Sequence, residues 1–80
     1  MNIQERIQEI FRIIFDDEEI ILSRATSADD IEEWDSFGHI TLIDAIEKEF
    51  EIRFNSDHIF EIATVGDLID MLNKHLQGEQ

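Results

Sequence analysis

Apolar residues return at helical intervals in three separate stretches of this chain. Ile3, Ile7, Ile10, Phe11 and Ile14 share one face of a 3.6-residue repeat, and Asn2 followed by Glu5 suits a capping box, which predicts a helix over about 3–15. A second stripe of Phe37, Ile40, Ile43, Ile46 and Phe50, broadened by Leu42 and Ala45, predicts a helix over 36–50 opened by the polar pair Asp35-Ser36. Val65, Leu68, Ile69, Leu72 and Leu76 predict a third over 65–76, with Thr64 and Asp67 spaced as another capping box. Gly66 in its first turn costs about 1 kcal/mol against alanine if helical. Asn55-Ser56-Asp57 offers caps for a short helix over about 56–62 carrying His58, Ile59, Phe60 and Ile62. With no proline and no strand alternation, the pattern is that of an all-α bundle: three main helices and a short one.

Residues 16–35 interrupt the pattern, and so long a connection without a regular element is unusual in a compact domain. Ile20, Leu22, Ile31 and Trp34 are spaced to pin it over the first helix, and Ser27 to Ile31 can form a single helical turn. No repeat or linker divides the chain, so residues 1–80 are read as one domain with a frayed end over 77–80.

Charge changes the picture. Twenty acidic against six basic side chains leave a net charge of −14 on 80 residues. That excess argues against nucleic acid, whose phosphates require Lys and Arg opposite them, and in favour of basic protein surfaces as partners. Self-repulsion of this size predicts that about 0.5 M neutral salt raises the thermal unfolding midpoint, which circular dichroism would read directly. No stretch reaches the length of a membrane span, and the first residues lack a secretory pattern, so the expected setting is cytoplasmic. The chain has no cysteine. Any thioester chemistry therefore requires a thiol borne by a prosthetic group.

Ser36 is the candidate for chemistry. At a helix start its hydroxyl can act as a plain cap, stabilising the helix by about 1 kcal/mol, or it can stand exposed as a nucleophile. The run Trp34-Asp35-Ser36-Phe37-Gly38-His39-Ile40, the apolar series behind it and the Thr64-Val65 start of the last helix resemble the acyl carrier protein family, over residues 3–76. That resemblance implies an acyl-carrier-like bundle that is not an enzyme. It places a covalent 4′-phosphopantetheine arm, derived from coenzyme A, on Ser36, installed by a separate phosphopantetheinyl transferase. A phosphodiester there would meet unpaired helix N–H groups and the positive end of the helix dipole.

The resemblance further implies partner recognition by Asp35, Phe37, Ile40, Asp44 and Glu47, facing an acyl-loading enzyme and a ketosynthase or acyltransferase with basic docking surfaces. Phe37 stands where the family usually has leucine, and is either a partner anchor or a residue tucked under the 16–35 connection. Gly38, Thr41 and Lys48 occupy positions where fatty-acid carriers typically bear acids, which points to a specialised fatty-acyl, polyketide or cell-surface polysaccharide pathway. By position Ile46, Phe54, Ile59, Ile62 and Leu68 line an acyl pocket; Ile59 and Leu68 replace small residues, so the pocket is expected small or closed. A monomer is expected. A peptidyl or aminoacyl carrier shares fold and serine, and an acidic interaction module that never bears the arm is the alternative of another class.

Other constellations carry less. Asp35, Ser36 and His39 contain the residue types of a hydrolase triad, but neighbours within one helical turn lack the buried acid, the oriented base and the oxyanion hole. His39, His58 and His75 have no metal-ligand spacing and are read as surface residues. Neither Asp16-Asp17-Glu18-Glu19 nor Asp29-Asp30-Ile31-Glu32-Glu33 has the alternation and central glycine of a calcium loop, so no metal site is assigned.

Overall fold

Three α-helices and one 3-10 turn make up the computed structural model, which describes residues 2–77. They are α1 (Ile3–Ile14), α2 (Ser36–Phe50), the 3-10 turn Ile59–Glu61 and α3 (Val65–Leu76). The expected fraying of the last residues falls mostly on 78–80, outside the described range. Each helix start follows from its cap. The Asn2 side chain accepts from the Glu5 amide, Asp35 from Gly38, and Thr64 from Asp67, whose carboxylate returns to the Thr64 amide as a full capping box. Helices α1 and α2 end in residues with positive φ just beyond them, Asp16 at 50° and Glu51 at 55°. The short helix expected over 56–62 is only the three-residue turn Ile59–Glu61. Asn55 explains this, because its side chain accepts from the Asp57 amide and its carbonyl from His58, folding the backbone into a tight turn where a helix would have started.

The core runs through all three helices. Ile7, Ile10 and Phe11 of α1, Leu42, Ile43 and Ile46 of α2, and Val65, Leu68 and Leu72 of α3 are buried together with Trp34, Phe54 and Ile62. Phe11 sits at the aromatic centre, its ring edge-on to Phe15 at 5.6 Å and to Trp34 at 5.1 Å between centroids. Outside the core, Arg6 clasps α1 to α2, 2.9 Å from the Glu49 carboxylate and with its guanidinium 4.3 Å over the Phe50 ring.

The 16–35 connection is held by polar side chains of α1. Gln4 donates to the Leu22 carbonyl, Gln8 accepts from the Leu22 amide, and Arg12 donates to the Ile20 carbonyl. Spaced four residues apart, the three form one ladder along the helix, and 20–22 lies against it with Ile20 and Leu22 turned into the core. Trp34 is buried as expected and Ile31 partly so. Further on, the Val65 amide donates to Thr26 and the Gly66 amide to Arg24, tying the connection to the start of α3. Gly66 permits this approach, since a Cβ there would lie 3.0 Å from the Arg24 carbonyl oxygen.

Gly38 plays the same part at the start of α2. A Cβ at this position would fall 2.2 Å from the Glu33 carbonyl oxygen and 3.1 Å from the Phe15 ring. The obstructing atom is backbone and cannot rotate away. Gly38→Ala is therefore expected to destabilise the protein by about 2 kcal/mol, the overpacking cost outweighing the roughly 1 kcal/mol of helix propensity that alanine gains. Chemical denaturation of the two proteins checks the sign: a more stable alanine variant would contradict the packing.

Candidate functional site

Ser36 is the first residue of α2 and is exposed. Capping, the structural explanation for a serine here, is performed by its neighbour: Asp35 Oδ1 accepts from the Gly38 amide at 2.8 Å. The Asp35 carbonyl accepts the next bond, from His39, at 2.7 Å. Among the described residues the Ser36 hydroxyl makes no hydrogen bond, so it is free for chemistry. The amides of Ser36 and Phe37 belong to the first turn of the helix, which has no intrahelical acceptors. A phosphate ester on Ser36 would fit this setting, held by the helix N–H groups of the first turn, with the Asp35 carboxylate beside it engaged by Gly38.

The expected recognition residues divide. Phe37 is 81% exposed and Ile40 52%, so Phe37 projects from the bundle beside Ser36 and is not tucked under the connection. Phe60, 61% exposed on the 3-10 turn, extends this apolar surface and was not singled out by sequence. Asp44 is exposed but lies 3.1 Å from Lys48, one turn on. Glu47 is partly buried and binds the Phe54 amide at 2.7 Å, so one carboxylate oxygen holds the turn after α2. Thr41 spends its hydroxyl on the Phe37 carbonyl.

The residues expected to line a small or closed acyl pocket are packed together. Ile46, Phe54, Ile62 and Leu68 are buried in the continuous core and Ile59 packs against it. A concavity of about 430 Å³ lies elsewhere, formed by the 16–35 connection itself, with Asp17, Ile21, Asp30, Glu32 and Glu33 in its lining.

The surface reading of the histidines is corrected in two cases. His58 is exposed and lies 3.0 Å from Glu61. His75 is half-buried, its Nδ1 3.0 Å from the Met71 carbonyl and its ring edge-on to Phe54. His39 is only 6% exposed. The Trp34 indole donates to its Nδ1 at 2.9 Å, and its Nε2 lies 2.6 Å from the Ile59 carbonyl. Its place in the helix follows from spacing, because residue 39 shares a face with Leu42, Ile43 and Ile46. A polar letter on an apolar stripe was the available clue. With both ring nitrogens engaged and no contact to Ser36, His39 is no general base.

The described residues thus set an exposed, unbonded hydroxyl at the front of α2 of a helical bundle, a position from which a covalently attached group can project. The sequence pattern of the family described as "Phosphopantetheine attachment site" matches residues 2–72. The solution structure of the holo acyl carrier protein from Geobacter metallireducens is similar throughout, with a TM-score of 0.87 and 40% sequence identity, covering 96% of this chain and 88% of that one. The chain belongs to the phosphopantetheine-binding acyl carrier protein family. It is a carrier and not an enzyme, and its cofactor is a covalently attached 4′-phosphopantetheine. No helix among the described residues is long and apolar enough to cross a membrane.

Proposed function

We propose that Ser36 bears the arm and that the protein presents acyl groups on it, as thioesters, to successive enzymes. The observation that carries this reading is the division of labour at the start of α2. Asp35 caps the helix, and the Ser36 hydroxyl is left exposed and unbonded. Incubation with a promiscuous phosphopantetheinyl transferase and coenzyme A is expected to add the mass of one arm. No gain after prolonged treatment would overturn the proposal and favour an unmodified interaction module.

The pathway we propose is a dedicated one rather than housekeeping fatty-acid synthesis. Support comes from the surface of α2, where Phe37 and Ile40 stand exposed, Gly38 is required by packing, Thr41 bonds back to the helix and Lys48 offsets Asp44. Partners with a basic rim around an apolar pocket suit this face, Phe37 entering the pocket as anchor. The closed core between α2 and the 3-10 turn favours short or polar cargo. In a competition assay a fatty-acid ketosynthase is expected to extend acyl groups on this protein at least tenfold more slowly than on its usual carrier, since losing one carboxylate contact of a few kcal/mol suffices for that factor. Equal rates would remove the dedicated pathway.

A further inference from the structure

His39 is the buried polar side chain of the core, placed one helical turn after Ser36 and facing inward where Ser36 faces out. Its bonding admits one ring form. An indole N–H can only donate, so Nδ1 must accept; a carbonyl can only accept, so Nε2 must carry the hydrogen and donate to Ile59. One ring thus joins three segments: the end of the 16–35 connection through Trp34, α2, and the 3-10 turn through Ile59. Phe60 lies against the same ring at 5.6 Å between centroids. Among the described residues, no other hydrogen bond ties residues 55–62 to the first three turns of α2.

We infer that His39 is a positioning residue that latches the 3-10 turn onto α2 and so keeps cargo tethered at Ser36 out of the apolar core. The inference rests on the proposed attachment at Ser36. An apolar group on the arm gains by leaving water, and the buried space within reach lies behind the start of α2. On the α1 side that space is filled by Phe11, Phe15 and Trp34, and Gly38 is pressed against the Glu33 backbone. The remaining seam runs between α2 and the 3-10 turn, with Ile46, Ile62 and Leu68 behind it. Parting that seam pulls Ile59 off His39 and leaves a buried donor and a buried acceptor unpaired. An aliphatic residue at position 39 removes that resistance. The latch therefore selects for acyl groups that tolerate water, short or hydroxylated, over long alkyl chains.

Two measurements test this on wild type, His39→Leu, His39→Gln and Trp34→Phe. In the unloaded proteins, amide hydrogen exchange reads the latch without any arm. His39→Leu is expected to speed exchange of Glu61 and Ile62, whose amides close the 3-10 turn, on the order of tenfold or more, while Phe11 changes within about twofold. His39→Gln, whose amide can donate to Ile59 and accept from Trp34, is expected to restore slow exchange; a purely space-filling role would favour leucine over glutamine. With acetyl and octanoyl arms, the amide resonances of Ile46, Ile62 and Leu68 are expected to coincide in wild type and to separate in His39→Leu. Octanoyl-dependent shifts of those amides in wild type, or a leucine variant unchanged in exchange, would overturn the inference. Should His39→Leu fail to fold, Trp34→Phe carries the test. It frees Nδ1 to hold the hydrogen, so Nε2 can lose its donor role, and exchange at Glu61 and Ile62 must rise. Failure to load the arm sinks the Ser36 proposal and leaves the exchange result standing, which separates the two.

Discussion

Ser36→Ala is expected to take up no arm at all while remaining folded, and the pairing of those two results is what gives the experiment its force. A serine at a helix start ordinarily raises a worry that its removal weakens the helix, so that lost modification reflects lost structure. Here Asp35 supplies the cap, and the exposed hydroxyl of Ser36 makes no bond among the described residues. Exposed substitutions away from such features usually stay within about 0.5 kcal/mol, so the denaturation midpoint should hardly move. Mass spectrometry after treatment with transferase and coenzyme A should then show one arm on wild type and none on the variant. Modification that persists in Ser36→Ala would place the arm on another hydroxyl.

The largest loss of stability is expected from Phe11→Ala. Phe11 is fully buried, and its ring is the one that both Phe15 and Trp34 approach edge-on. Removing it should cost about 3–5 kcal/mol, the transfer term plus the cavity left among neighbours held by their own helices. A domain of this size has roughly 4–12 kcal/mol in total, at ~0.05–0.15 kcal/mol per residue, so the variant stands near the edge of folding. In urea, where a small domain has a slope near ~1 kcal/mol per molar, the midpoint should fall by roughly 3–5 M. Ile13→Ala on the same helix is the control: Ile13 is exposed, and its removal should change the midpoint little. Because Trp34 leads directly into Asp35 and Ser36, the cavity also loosens the support of the attachment site.

Glu47 and Arg12 show how differently sequence and structure speak about the same polar residue. From spacing alone both belong to solvated helix faces, and the family resemblance offers Glu47 to partners. In the folded protein Glu47 holds the Phe54 amide and Arg12 the Ile20 carbonyl, each satisfying a backbone group in a segment that has no regular structure of its own. A long connection can stay compact only if its buried backbone is paired, and side chains from a neighbouring helix do the pairing.

What the chain determined by itself is the part written in short-range chemistry. Apolar residues three and four apart mark the three helices, Asn2, the Asp35-Ser36 pair and Thr64 mark where they begin, and the resemblance of the run Trp34 to Ile40 to a carrier family nominates Ser36. Each of these acts within one or two turns, so linear order is enough to read it. Tertiary structure alone decided which groups the His39 ring joins, that Gln4, Gln8 and Arg12 form a ladder for residues 20–22, and that Gly38 and Gly66 are required by backbone atoms pressed against them. Those outcomes depend on which distant segments come within about 3 Å of each other, and hydrogen bonding and steric exclusion fall off so steeply that nothing short of the folded arrangement specifies them.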